Sequence, residues 1–385
     1  MTKSSFLRPQ TGGALLCAAL LSVASSALGL DDAPGRWPAD KANAWREQHG
    51  WLRGCNYIPS NAINQLEMWQ AETWSPQLID QELGWAEGLG FNSVRVFLHD
   101  LPYQQDPAGF VRRVDQFLAL AEKHHIGVLF AVFDSCWYPQ PKLGQQPAPL
   151  PHTHNSGWVQ SPANPALHDP AQAPRLHAYV TGIIKRFAND RRIVGWDVWN
   201  EPDNRDGGEV KRPNLEPKNN TARVNELLPQ VFAWAREANP TQPLTSGVWD
   251  KIDWSSDDKI SATEKIQLSN SDVVSFHNYG NLPDEKTCVN GLRRFGRPLM
   301  QTEYMARPRG STFDPILGYQ KDEKVDCYCW GFVSGKTQTI YPWDSWTTRY
   351  MGEPLLWFHD VLRTDGTPYK ADEVAYIRKV TGKTP

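Results

Sequence analysis

The chain has 385 residues, 40% hydrophobic and 22% charged, a balance that buries a large core and excludes a disordered, collagen-like or fibrous protein. Its formal charge is −3 with no basic block, so the positive footprint a phosphate backbone demands is missing and nucleic acid is not expected as a partner. Seventeen Trp stand beside 12 Tyr and 14 Phe; a buried indole wants a partner for its N–H, so this many rings point to some that face a ligand.

Residues 1–29 read as a secretory signal. Lys3 and Arg8 flank the start, 13–24 is an apolar run, and Ala27-Leu28-Gly29 offers small residues for cleavage. The run falls short of the roughly 20 residues that span a bilayer, and Leu16 before Cys17 is not the small residue that lipidation prefers. A secreted or periplasmic protein of residues 30–385 is expected, monomeric and free of the membrane once the leader is cut. It keeps Cys55, Cys136, Cys288, Cys327 and Cys329, an odd set that requires a free thiol or an intermolecular bridge. Asn219-Asn220-Thr221 is a glycosylation sequon.

From Trp51 onward, short β-rich apolar runs alternate with amphipathic stretches, the pattern of βα units around a parallel sheet. Eight runs fall at 52–57, 93–98, 126–133, 193–200, 243–248, 272–277, 298–303 and 325–333. They are apolar on both faces, as parallel strands inside a ring of helices must be. Helical segments are expected at 77–88, 110–124, 173–188, 224–238 and 285–295, with Gly90 and Gly127 placed as C-cap glycines after the first two. No glycine-rich dinucleotide loop follows the first run, so the α/β class narrows to one (β/α)8 TIM barrel rather than a doubly wound sheet. Long loops follow strand 3 (138–174), strand 4 (202–219) and strand 8; they would lie on the face where barrel active sites form.

The carboxyl ends of these strands are unusually polar. Strand 2 holds Arg95 and runs on to His99, strand 3 ends at Asp134, and strand 4 ends at Asn200-Glu201. Strand 6 ends at His277 with Tyr279 beyond, and strand 7 ends at Glu303. A single glutamate is usually a helix cap or the partner of a surface lysine. Glu201, however, closes an apolar strand and precedes Pro202, which steers it away from helix, and an ionisable group at a buried strand end points to function. Two glutamates on opposite strands are what retaining glycoside hydrolysis requires, one as acid and one as nucleophile, about 5–5.5 Å apart.

Trp199-Asn200-Glu201-Pro202, Phe276-His277-Asn278-Tyr279 and Thr302-Glu303-Tyr304, in that order and with Arg95 upstream, resemble the glycoside hydrolases of clan A, most closely family 5-like cellulases and mannanases. The resemblance spans the whole mature chain. It implies that Glu201 is the general acid/base, Glu303 the nucleophile and Asn200 a contact to the sugar 2-hydroxyl. It further implies that Arg95 and Tyr279 hold the nucleophile ionised while His277 lines the same subsite. That family carries a tryptophan platform at the end of strand 8. Here Trp330 falls inside the eighth run with Trp343 and Trp346 in the next loop, so the platform stays open among these rings. Asp197, inside strand 4, reads as one side of a buried ion pair with an arginine.

His152-Thr153-His154 has the spacing of a metal pair, but it sits in the Pro-rich loop after strand 3 rather than at the end of strand 1. No metal and no cofactor are expected. His124-His125 ends a helix and faces its dipole. Trp69, Trp74, Trp137, Trp158, Trp249 and Trp343 are loop rings that could stack on sugars; His99, Asn56, Tyr57 and Glu67 are contacts suggested by position. The expected activity is retaining hydrolysis of a β-linked glucan or mannan, with an oligo- or polysaccharide as the partner. The rivals are a carbohydrate-binding protein without turnover and a metal-dependent hydrolase. Loop length alone does not decide between internal and terminal cleavage.

Overall fold

The computed structural model describes residues 1–2, 32–204 and 221–383. Nearly all of the leader, Cys17 and most of the 202–219 insert with its sequon lie outside the described residues.

Eight parallel strands form the sheet: β1 (Arg53–Asn56), β2 (Ser93–Phe97), β3 (Gly127–Asp134), β4 (Ile193–Asn200), β5 (Leu244–Thr245), β6 (Val274–His277), β7 (Leu299–Tyr304) and β8 (Asp326–Cys329). The order β5-β4-β3-β2-β1-β8-β7-β6 leaves one seam. Val248 donates to Ser275 O at 3.1 Å and accepts from the N–H of His277 at 2.9 Å, so the seam between β5 and β6 is bridged. The result is a nearly closed (β/α)8 barrel.

Every residue of β2 and β4 is buried, since helices cover the outside and side chains fill the inside. Pro107–Lys123 shows how the covering helices are specified. Val114, Phe117, Leu118 and Ala121 recur at helical spacing and are buried. Pro107 opens the helix, and Asp106 accepts the N–H of Gly109 at 2.8 Å. Helices Pro76–Gly88, Ala173–Arg186, Thr221–Glu237, Ala262–Asn270, Leu282–Leu292, Phe313–Asp322 and Ala371–Thr381 complete the ring. Among the described residues no helix is long and apolar enough to cross a membrane.

Three local expectations need correction. The fifth run pairs over only two residues, because Gly247 and Val248 bend toward β6 instead of staying beside β4. The eighth run ends at Cys329, since Gly331 at φ 80° takes a left-handed conformation that breaks the ladder; Trp330 therefore stands at the end of the strand, not inside it. Gly90 does turn the chain at φ 78°, but Gly127 opens β3 and the left-handed residue before it is His125 at φ 57°.

The bottom of the barrel is apolar. Helix Ala39–His49 and the residue before its cap bring Trp45 and Trp37 against Leu52, Leu129, Met300 and Tyr328. Above this plug the interior turns polar, and that layer supports the site.

Candidate active site

Arg95, on β2, is fully buried, and every one of its N–H donors is used. Nε and Nη2 donate to Asp197 Oδ2 at 3.1 and 2.6 Å, Nη2 to Asn200 Oδ1 at 2.7 Å, and Nη1 to Asn56 Oδ1 and Glu303 Oε1, each at 2.9 Å. Taking ions out of water costs several kcal/mol each, and only such complete satisfaction offsets it. Burial opposes the charge on Arg95, but Asp197 and Glu303 outweigh it and raise its pKa. The ion pair expected for Asp197 is thus formed, with Arg95.

Glu303 is 5% exposed. Oε1 accepts from Arg95, and Oε2 accepts the Tyr279 hydroxyl at 2.7 Å. Burial raises its pKa and Glu201 adds to that, while His277, Arg95 and Tyr279 pull it down. Tyr279 keeps its proton, because burial and Glu303 push the phenol up.

Glu201 closes β4 with φ 42°, a left-handed backbone uncommon for a residue other than glycine and found where function demands it. The turn sends its carboxylate into the mouth. Oε1 lies 2.9 Å from His277 Nδ1, and Oε2 accepts from Asn204 Nδ2 at 2.5 Å and from the Cys136 thiol at 3.2 Å. His277 Nδ1 also lies 3.5 Å from Glu303 Oε2. Burial lowers the His277 pKa to about 4, so the ring is neutral at pH 7, and the network assigns its proton to Nδ1.

One oxygen of each glutamate and one nitrogen of His277 lie within 4.8 Å of one another. A cation could geometrically be held there, but His277 Nδ1 is already hydrogen-bonded to Glu201 and lies 3.5 Å from Glu303. His152 and His154 turn their Nδ1 atoms to the hydroxyl and the carbonyl of Tyr341 at 2.6 and 2.8 Å, which makes them loop fasteners.

Asp134, at the end of β3, accepts from Asn200 Nδ2 and the Cys136 N–H at 2.9 Å, Trp158 Nε1 at 2.6 Å and Gln65 Nε2 at 3.0 Å. Burial pushes its carboxyl up to about 7 against these donors. It fixes Asn200 and Trp158 together. Over the two glutamates opens a cavity of about 330 Å³ lined by Trp137, Trp158, Trp249, Trp330, Trp343, Tyr279, His154, Asn155, Asn200, Asn204 and Cys136. Two buried carboxylates on opposite strands beneath a cup of indoles can transfer a proton and attack an electrophilic carbon bound between them.

Residues 58–304, more than half of the chain, match the family Cellulase (glycosyl hydrolase family 5). The chain belongs to glycosyl hydrolase family 5. It is therefore a glycosidase, and it acts on a β-linked glycan. No curated protein sequence matches this family 5 chain. Solved structures of similar fold include GH5_18 from Streptomyces cattleya in complex with GlcNAc, at 16% identity over 87% of this chain and 82% of that one, TM-score 0.55. The exo-β-1,4-mannosidase Op5Man5 from Opitutaceae bacterium strain TAV5 is 17% identical over 87% of this chain and 60% of its own length, TM-score 0.55. The endo-β-1,4-mannanase from Thermotoga petrophila is 13% identical over 88% and 77%, TM-score 0.54. At such identities the likeness shows the fold.

Of the residues singled out from the family 5 sequence, Glu201, Glu303, Asn200, Tyr279, Trp330 and Trp343 line the cavity, and Arg95 and His277 touch its carboxylates. His99 is not among the lining residues. It is fully buried, and Nδ1 accepts the N–H of Leu101 at the start of a short helix. Trp69 is buried against Trp74, Tyr57 donates to Glu82, and Glu67 pairs with Lys336. Asn56 serves Arg95 from below. Cys136, Asn204 and Asn155 were not foreseen. Cys136 could have been flagged by its place two residues beyond Asp134; Asn155 reaches the cavity through a loop whose path no periodicity reveals.

Proposed function

We propose that the enzyme cleaves a β-linked glucan- or mannan-type chain with retention of configuration. The observation that carries this is the carboxylate pair on β4 and β7, with oxygens within 4.8 Å of one another, close to the retaining separation of about 5–5.5 Å and below the 6.5–9.5 Å that leaves room for an inverting water. At that spacing two carboxylate charges repel by about 3 kcal/mol at an effective dielectric near 20, so the pair favours a single charge. Arg95 and Tyr279 would hold that charge on Glu303, and Glu201 would take up the proton it delivers when substrate binds, in place of one of the hydrogen bonds it accepts in the free site.

In the first step a Glu303 oxygen bonds to the anomeric carbon while Glu201 gives its proton to the glycosidic oxygen, whose bond to that carbon breaks. In the second, Glu201 takes a proton from water, the water oxygen bonds to the anomeric carbon, and the bond to Glu303 breaks. Asn200 would meet the 2-hydroxyl, and Trp330 and Trp343 would offer ring faces to the sugar. Residues 30–385 would form the exported, monomeric enzyme after loss of 1–29, with no metal or cofactor in the reaction.

The test is release of reducing sugar from β-mannans, β-glucans, xylans and their oligosaccharides, with Glu303→Gln as control and proton NMR to read the anomer first formed. Mannan comes first, since several enzymes of similar fold are named for β-mannosidic bonds. A first-formed β-anomer, absent with the variant, is the expected result. An α-anomer overturns retention; tight binding without turnover favours a binding protein.

A further inference from the structure

We infer that this cleft is closed at its glycone end, so that the enzyme removes sugars from non-reducing chain ends rather than cutting within a chain. The inference rests on the glycosidase reading above.

The loops after β3 and β8 are laced together above the two strands, β1 and β2, that lie between them in the sheet. The N–H of His152 donates to Gln338 Oε1 at 2.8 Å, and Gln338 Nε2 returns a bond to Leu150 O at 2.7 Å. His154 N–H reaches Ser345 Oγ at 2.9 Å, and the N–H of Asn155 reaches Thr337 O at 2.7 Å. With the two bonds from His152 and His154 to Tyr341, six hydrogen bonds stitch the seam. Its foot is closed too: Lys336 N–H donates to Ser60 O at 2.9 Å, and a Cβ on Gly335 would lie 2.2 Å from that oxygen. His154, Asn155, Tyr341 and Ser345 are all buried. The inner edge of the wall is thus packed, and an open pocket of about 470 Å³ lies beside it, lined by His152, Thr153, Ser345 and Trp346.

The wall stands on the side of Glu303. Trp330 closes β8 beneath it, and Trp343 packs edge-on against Tyr279 with ring centroids 5.1 Å apart. Glu201 enters the cavity from β4, and Trp249 of the loop after β5 lies next to it, its Nε1 donating to Asp203 Oδ1 at 2.8 Å. An acid must sit beside the leaving group, so the leaving chain extends past Glu201 and the sugar being attacked lies against the wall. A polymer cannot thread through. The cavity, about 330 Å³, falls at the small end of pockets that enclose a small molecule, about 300–1,000 Å³.

One side chain on the wall is built for a chain end. Asn155 lines the cavity at φ 49°, is 1% exposed, and neither oxygen nor nitrogen of its amide has a partner among the described residues. Both amide atoms are shielded in this conformation, so a turn of the side chain into the cavity would bring them to a bound group. The hydroxyls of a terminal sugar offer donor and acceptor together, whereas a further sugar attached there would collide with the seam.

The experiment uses mannohexaose and cellohexaose tagged at the reducing end, with products resolved during the first few per cent of turnover. The expected result is one short untagged product of constant length, the tagged chain shortening stepwise, and little loss of viscosity on the polymer. Tagged fragments of several lengths at the earliest times, with loss of viscosity, overturn end action and leave the glycosidase reading intact. No Glu303-dependent hydrolysis overturns both. A His152→Ala/Gln338→Ala double variant unlaces the seam without touching the glutamates; folded, it should begin to cut internally, and an unchanged product pattern overturns the wall as the cause. Asn155→Ala should raise KM about three- to tenfold with kcat little changed, the loss expected for neutral hydrogen bonds.

Discussion

Arg95 Nη1 donates to Glu303 Oε1 at 2.9 Å, from β2 to β7 across the top of the barrel. The same guanidinium binds Asp197 and Asn200 on β4, so one side chain fixes the strand ends that carry both glutamates. Arg95→Met leaves Asp197 and Glu303 buried without their cation and should cost about 3–5 kcal/mol of stability, read by urea unfolding, together with nearly all activity. Arg95→Lys should rescue little, because one ammonium cannot fill a planar fork of five acceptor contacts. A lysine variant of native stability would sink this account of the layer.

The two glutamates should separate by leaving group. Glu201→Gln removes a proton donor, a loss of about 10²–10⁴ in kcat/KM on natural linkages. It should be far milder for the first step on a dinitrophenyl glycoside, whose leaving group departs unprotonated. Glu303→Gln removes the attacking atom and should abolish both. Equal losses on the two substrates for Glu201→Gln would deny it the acid role.

What the sequence revealed follows from local chemistry. β4 and β7 are mostly apolar runs that close on a glutamate, so the pattern singled out Glu201 and Glu303, and the motifs around them supplied the expected roles. The partner of Asp197 could be guessed as an arginine, since no other group balances a buried carboxylate so well. The runs at 243–248 and 325–333 overshoot β5 and β8, because Val248 pairs across to Phe276 and Gly331 turns left-handed, neither of which changes hydropathy. His99 was misplaced since strand alternation ends two residues before it, where a short helix takes over. The wall was hidden because its hydrogen bonds join residues nearly 190 apart in sequence.

The acid limb of the pH profile should lie above the ordinary glutamate range. Burial raises Glu303, and the enzyme needs it ionised, so kcat/KM rises as this group loses its proton. The Tyr279 hydroxyl stabilises the ionised form. Tyr279→Phe should therefore move the acid limb to higher pH as well as lower the rate. A limb that stays put or moves down would show that the phenol does not serve the nucleophile.

The thiols should be inert. Cys55, Cys136, Cys288, Cys327 and Cys329 are all free and buried, and burial pushes each of them up, far from the reactive thiolate. Thiol titration of the leaderless protein should count few groups when native and all of them in denaturant, and a reductant should leave Tm unchanged. A reductant-dependent fall in Tm would reveal a disulfide the fold does not provide for.

Stability should fall as the buried carboxyls ionise. Burial raises Asp326 and Glu285 to about 7 and Asp360 to about 6, while the unfolded chain titrates them near 4. Between those values the folded state binds more protons than the unfolded one, so each of these groups favours folding below pH 4 and loses that contribution as pH rises toward 7. Asp100 runs the other way. Burial opposes its charge, but His99 and Arg175 hold it below the ordinary range, so its contribution is present above pH 4 and lost as pH falls. His277 and His359, also held by burial below the ordinary imidazole range, add to the loss as pH falls below about 6.5, so the buried carboxyls show most clearly as a decline in Tm between about pH 6.5 and 8, measured by calorimetry. Asp326 gives the control: Oδ1 lies 3.1 Å from Arg46 Nε and accepts the N–H of Leu52, whereas Oδ2 is buried without a partner among the described residues. Asp326→Asn keeps the shape and removes the titration, so the decline should flatten; a slope as steep as before would place the lost stability elsewhere.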